Sequence, residues 1–575
     1  MHRRLGLLLG AALAALLLSA AAGASVNFAR NSAATATPKT TETAFERAWA
    51  AVPKSQKARE AKKVVVFGAE QDIDGFNTSL NCCSEYWAVV MGNSPVLRGA
   101  YTITNTGAYI HDLATKVVAT PRSLTYVLRK NAKWNDGRHV TAADFIYTWK
   151  QFINPNNDVA TRAGYDDITG ATTKGPYQVT FHLKAPFADY KDLFGLIYPS
   201  VELAGQDFNK IWANCVCGKN GKPISDGPFI LQSYTKGQGA VLVKNNTWYG
   251  KKASLNEILF KIITDTNTEI QAMRGGEVDA IAPSPQTALS QLLHQSGIVY
   301  SAIPALYQEH LDLQFGPHGV PIMKMPAFRK AIMLGINRQA IVNSLFGSYA
   351  PGLKLLNNLI FFNTDKLNYR PDFAKWNYNP KKAIAMLKAA GCTGGPSTPS
   401  ASNNAYWTCH GDKAEFTYTT TLGNQRRETS EAIVQAELKA IGIKVDNGLV
   451  PANVMFGPDV LAAKNYQAME FAWVLGSPDG QWAVDTWRCN GPSNYLSYCN
   501  KRVSALLLDS QHQLNDAKRR AEFQQADALM ANDLPSVPMY SPPSILIYKK
   551  GLKGFKNTPT SAGPTWNAQD WQWTS

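Results

Sequence analysis

After its first two dozen residues the chain contains no second apolar run long enough to cross a bilayer, which excludes a multi-pass membrane protein. It has no cysteine before Cys82, so no thiol stands near the end of the leader to accept a lipid. There is no Gly-x-Ser-x-Gly elbow, no His-Glu-x-x-His and no phosphate-binding loop, which removes the common signatures of a secreted hydrolase or a nucleotide enzyme. Gly476-Ser477-Pro478-Asp479-Gly480 only imitates the first of these. Asp166 and Asp167 are adjacent carboxylates, but they lack the separation that acid and base roles require. Basic residues are scattered, with short clusters such as Lys518-Arg519-Arg520 and Lys549-Lys550, and no nucleic-acid module accompanies them.

What is present begins with an export signal. Arg3 and Arg4 precede an apolar stretch from Leu5 to Ala22, and Ala22-Gly23-Ala24 is a small-residue cleavage site, so residues 1–24 are predicted to be a signal peptide. The remainder is too long for one hydrophobic core, and two or more lobes are expected. Lys and Arg number 58 against 43 Asp and Glu, a formal charge of +15, which suits an anionic envelope surface as neighbour. The 8 cysteines are an even set, and outside the cell an even set favours disulfides. Cys489 and Cys499 bracket the turn-forming Asn490-Gly491-Pro492-Ser493-Asn494, and Cys392 and Cys409 flank a Gly/Ser/Pro/Asn-rich insert. Cys82-Cys83 and Cys215-Val216-Cys217 are then expected to pair with each other, in an order the spacing leaves open. Zinc is the alternative for these four, though the spacings are not the usual metal-binding ones.

Residues 25–63 read as a linker, with a short helix near Ala44 to Ala51. The folded body starts at the strand Val64-Val65-Val66-Phe67. A strand from Leu124 to Leu128, the turn Asn135-Asp136-Gly137 and a helix capped by Thr141 with Asp144 follow, then strands at 177–183, 229–234, 240–244 and 258–263. Thr266-Asn267-Thr268-Glu269 reads as a capping box and Gly275 as a helix stop. Helices are predicted over 327–346 and 380–390, and a strand, helix, strand unit over 416–421, 431–440 and 443–445. Strand character returns from Val537 to Tyr548, so the chain is expected to leave one lobe, build another and come back, crossing near Ile263 and near Pro535.

Leu124 to Lys150, LTYVLRKNAKWNDGRHVTAADFIYTWK, closely resembles the signature of the peptide, nickel and oligosaccharide binding proteins of ABC importers, solute-binding protein family 5. Blocks beginning at Gly227, Ile263 and Phe328 and the closing DALMANDLPSVPMY follow in that family's order. The resemblance implies an α/β, two-lobed periplasmic-binding-protein-like fold of type II, of the large cluster with an extra subdomain in lobe 1 near residues 95–199. Lobe 1 would cover 64–265, lobe 2 would cover 266–533, and 534–575 would return to lobe 1. It further implies a ligand held between the lobes, an ABC permease and ATPase as membrane partners, a monomer, and no cofactor, metal, nucleic acid or catalysis. The alternatives are an envelope adaptor that keeps the fold without transport and, less favoured, a secreted hydrolase.

By the same resemblance Phe76, Asn77, Tyr86, Trp87, Trp248, Tyr249, His310, Trp473, Ser477 and Asp479 are the candidate ligand-binding residues. Aromatic rings bury much area at little entropic cost, which suits them to the walls of a cleft. For each, packing in the core is the competing role. In peptide-binding relatives the turn after Trp473 carries an Asp that pairs with the peptide's ammonium group. Gly476 stands in that place here, and Asp479 is the acid that remains in the turn. Recognition of a free peptide N-terminus in the family's usual way is therefore not expected.

Overall fold

The computed structural model describes residues 42–293, 295–475 and 480–574; the signal peptide, most of the linker, Gly476, Ser477 and Asp479 lie outside the described residues. The body starts earlier than the sequence reading placed it. Thr43 caps the helix Ala44–Ala51 through a reciprocal pair with Glu46, and Ser55 caps Gln56–Lys62. Phe45 is buried against the first sheet's outer face, so residues 43–63 are built into the fold and are not linker.

Val64–Ala69 is buried at every position, as a central strand covered on both faces requires. It runs parallel to Glu257–Ile262 and to Ala280–Ile281 in a mixed sheet of seven strands. The order from edge to edge is Ile298–Ile303, Ser544–Lys549, Ala280–Ile281, Val64–Ala69, Glu257–Ile262, Gly239–Lys244 and Phe229–Thr235. A four-stranded antiparallel sheet formed by residues 114–183 packs beside it with the helix Ala142–Ile153, whose first turn is closed by Thr141 and Asp144. Phe145, Phe181 and Phe194 of that region share one continuous apolar core with Val65 and Phe67 of the large sheet.

The second sheet has five strands in the order Lys444–Val450, Glu415–Thr421, Ala468–Val474, Tyr307–Leu313 and Ser536–Tyr540, with its own core. The strand, helix, strand unit read from the sequence is here: Glu415–Thr421 and Lys444–Val450 are parallel and joined by the helix Gln425–Ala440. The architecture is thus a two-lobed α/β fold.

The lobe boundaries expected from the sequence are corrected by the strand pairing. Thr266–Gly275, Ala280–Ile281 and Ile298–Ile303 all belong with the first sheet, because Ile298–Ile303 pairs along its length with Ser544–Lys549. Ser536–Tyr540, expected to have returned, pairs instead with Tyr307–Leu313 in the second sheet. The chain therefore crosses at Pro304-Ala305-Leu306 and again at Ser541-Pro542-Pro543, not near Ile263 and Pro535. A capping motif marks where a helix starts, and says nothing about which sheet the next strand joins. The cap itself also differs: Asp265 accepts from the N–H of Thr268, Glu269 is buried, and Gly276, with φ of 76°, ends the helix in place of Gly275.

Cys489–Cys499 and Cys392–Cys409 are bridged as the turn-rich loops between them imply. The other four are a correction. Cys82 bonds Cys83 and Cys215 bonds Cys217, although the two loops are neighbours through the Phe76 N–H donating to the Trp212 carbonyl at 2.8 Å. Each thiol has its sequence neighbour within reach, the Cα atoms being 3.8 Å and 5.4 Å apart, so each loop closes on itself.

Candidate functional site: the space between the lobes

The two crossing segments are short and tied together: the Ser541 hydroxyl donates to the Ala305 carbonyl at 2.9 Å. Two short strands of backbone joining two separately packed sheets make a hinge. Around the cleft, groups from both lobes already meet. The Thr161 hydroxyl donates to Asp485 Oδ2 at 2.7 Å, Arg519 pairs with the buried Asp189, the Ala188 N–H donates to the Gln511 carbonyl at 2.9 Å, and Tyr86 and Tyr307 join through their hydroxyls.

The second lobe supplies an aromatic wall. Strand alternation puts His310, Asp312, Phe471 and Trp473 on one face of the five-stranded sheet. The Trp473 ring lies between His310 and Tyr495, 6.1 Å from each and nearly parallel to both, while Phe471 meets His310 and Trp473 edge-on. Phe456 adds a half-open ring against Phe471. Trp473 is half-buried, and its indole N–H has no acceptor among the described residues, whereas a buried indole normally finds one. Tyr495 sits in the loop closed by Cys489–Cys499, and Asn494 holds that loop by donating to the carbonyls of Arg488 and Tyr498.

His310 stiffens this wall from behind. It is fully buried, its Nδ1 is 2.9 Å from the Gln308 carbonyl and its Nε2 is 3.5 Å from Asp312. Burial pulls its pKa down, but the Asp312 carboxylate outweighs burial and leaves the imidazole above its ordinary value. On the opposite face of the sheet, burial would raise Glu309, yet Arg426 and Arg427 outweigh it and hold the carboxyl low. Glu470, beside them and accepting from the Tyr418 hydroxyl at 2.9 Å, is raised by burial first and then by the charge of Glu309.

The first lobe contributes less of what the sequence suggested. Phe76 is packed edge-on against Tyr234, Trp87 sits against Phe67 and Phe260, and Asn77 donates to the Phe208 carbonyl and accepts from the Tyr198 hydroxyl. Trp248 is buried over Gly250, and Tyr249 donates to Asp112 beneath the Arg129 guanidinium. Each of these five has its ring or its polar group engaged within the first lobe, as the competing packing role expects. Of the first-lobe aromatic candidates, Tyr86 reaches the other lobe, at Tyr307. The sequence reading missed Asp158, whose charge helps raise Tyr495 after burial does, and which accepts from Asn81 at 2.7 Å. It also missed Thr161, Asp485, Tyr495 and Phe456. Only Tyr495 carried a signal, its place inside a disulfide loop. Among the described residues no cluster of His, Cys, Asp and Glu is placed to hold a metal ion, and no helix is long and apolar enough to cross a membrane.

The arrangement sets an aromatic stack of the second lobe near the Asp158 carboxylate of the first.

Comparison with known proteins agrees with the two-lobed fold. Residues 108–495 match the family described as bacterial extracellular solute-binding proteins, family 5. The oligopeptide-binding protein AppA of Bacillus subtilis is 24% identical over 451 residues, covering 75% of this chain and 78% of AppA. The di/tripeptide-binding protein 2 of Pseudomonas aeruginosa is 25% identical over 76% of this chain and 82% of its own length. Among solved structures, AppA in complex with a nonapeptide superposes with a TM-score of 0.78 at 22% identity, covering 89% of this chain and 99% of that one. The periplasmic EDTA-binding protein EppA gives 0.78 at 21% identity, covering 89% and 96%.

Proposed function

The chain belongs to the bacterial extracellular solute-binding proteins of family 5, and from that premise we propose that it captures a small, peptide-like solute between its lobes and delivers it to an ABC permease and ATPase. The protein acts outside the cytoplasm as a monomer and releases its ligand unchanged, so it is not an enzyme. The observation that carries this reading is the hinge at residues 304–306 and 541–543 with an aromatic stack on one side of the cleft it opens. Ligand binding then amounts to closing the hinge over a solute that contacts Trp473, Tyr495 and Tyr86.

Relatives that carry the name of an oligopeptide, dipeptide or glutathione binder support a peptide-like ligand. Gly476 argues that an ammonium group on it is met by another carboxylate, and Asp158 and Asp479 are the two we assign. Native mass spectrometry of protein purified without denaturation identifies the co-purified ligand, and calorimetry on emptied protein measures its affinity. The expected result is a bound solute of defined mass whose affinity falls about a hundredfold in Trp473→Ala and whose binding reduces the radius of gyration. Removing a central aromatic anchor from an interface typically costs 2 kcal/mol or more. Turnover of the solute, or full affinity in Trp473→Ala, would overturn the reading.

A further inference from the structure

The second lobe holds a separate cavity of about 770 Å³ on residues 336–378, none of them among the cleft residues named above. Three cationic side chains line it, Arg338, Lys354 and Lys366, and no carboxylate does. Arg338 is 2% exposed. Its guanidinium donates to the carbonyls of Leu356 and Pro538 and to the amide oxygens of Asn357 and Asn377, all neutral acceptors. A buried charge satisfied by dipoles but unmatched by an opposite charge is costly, and burial accordingly pushes the Arg338 pKa down to about 10.

The other polar groups of the cavity are set as donors. Because the oxygens of Asn357 and Asn377 accept from Arg338, their amide nitrogens remain, and neither has a protein acceptor among the described residues. The Tyr369 hydroxyl accepts from the Asn357 N–H at 3.0 Å, which leaves its own proton to donate. Lys354 is exposed and makes no ion pair among the described residues, and Lys366 is held only by the Asn363 carbonyl at 2.7 Å. Glu437, behind Asn337, accepts that residue's N–H. Adjacent in sequence to the lining residue Asn377, the Trp376 ring has Lys330, Lys375 and Lys382 around it at 5.3 to 5.9 Å.

We infer that this cavity is an anion site, taking a phosphate group either free or as the monoester of a small molecule. Donors and cations converging without a carboxylate recognise oxyanions through charge-assisted hydrogen bonds. The volume exceeds what inorganic phosphate fills, so the monoester is accommodated as well.

The test is calorimetry at fixed ionic strength on the full exported chain, with inorganic phosphate and a sugar monophosphate as the two probes and chloride as the blank. At least one probe is expected to bind with one-to-one stoichiometry, and which one binds more tightly identifies the source of the phosphate. Lys354→Gln together with Lys366→Gln should weaken that binding about tenfold or more, with circular dichroism and the anion-free thermal midpoint unchanged, since Lys354 and Lys366 are exposed. Trp473→Ala should leave it untouched. The inference is overturned if neither probe binds, if the double variant binds as tightly as the wild type, or if Trp473→Ala abolishes binding, which would place the anion in the cleft.

Discussion

Trp87 in the first lobe and Trp473 in the second are both large aromatic residues, yet their surroundings are opposite. Trp87 is 3% exposed between Phe67 and Phe260, an edge-on packing that ties the central strand to its neighbour. Trp473 is half-buried, stacked flat on His310 and Tyr495, with its indole N–H unanswered by the described residues. One ring holds a sheet together; the other is held in place by a sheet so that something else can meet it. The difference teaches that an aromatic residue is assigned by how completely its ring is packed within its own lobe.

Trp87→Ala is the hardest test of that contrast. Emptying a fully packed indole site should lower stability by about 3–5 kcal/mol, readable as a fall in the denaturation midpoint, whereas Trp473→Ala should cost far less stability and appear mainly as lost ligand affinity. Equal destabilisation by the two would erase the distinction.

The Cys489–Cys499 bridge sharpens it next, because it fixes the loop that presents Tyr495 to Trp473. Cys489→Ser with Cys499→Ser should cost about 2–3 kcal/mol by freeing a short loop in the unfolded chain, and should also weaken ligand binding. Cys392→Ser with Cys409→Ser, whose loop is remote from the aromatic stack in sequence and sheet, should cost stability without touching affinity.

The smallest effect concerns the buried charges that back the second-lobe wall, Glu309 and Glu470 with Arg426 and Arg427. Glu470 binds its proton more tightly folded than unfolded, so the stability it contributes is complete at pH values below the unfolded carboxyl's and is lost as pH rises toward neutrality and beyond. Glu470→Gln should flatten that decline by an amount on the order of 1–3 kcal/mol, each pKa unit being about 1.4 kcal/mol. Denaturation measured at about pH 5 and about pH 8 compares the two proteins. Glu309, held low by Arg426 and Arg427, works in the opposite sense and loses its contribution only in acid.

Local patterns in the chain specified much of what is seen. The Thr141–Asp144 cap, the Asn135-Asp136-Gly137 turn with Gly137 at φ of 93°, the alternation of Ser123–Leu128 and the parallel unit around Gln425–Ala440 are set by neighbours a few residues apart, where propensity, capping and period act directly. The bridges Cys489–Cys499 and Cys392–Cys409 were readable for the same reason. Tertiary structure alone decided which sheet each strand joins, because Ile298–Ile303 and Ser536–Tyr540 are both strands by pattern and only their partners, more than 200 residues away along the chain, distinguish them. It also decided that Trp473 and Tyr495 form one stack near Asp158, while Phe76, Trp87 and Trp248 are buried within the first lobe. Those roles depend on which surfaces meet when two lobes pack, a long-range outcome that no local spacing encodes.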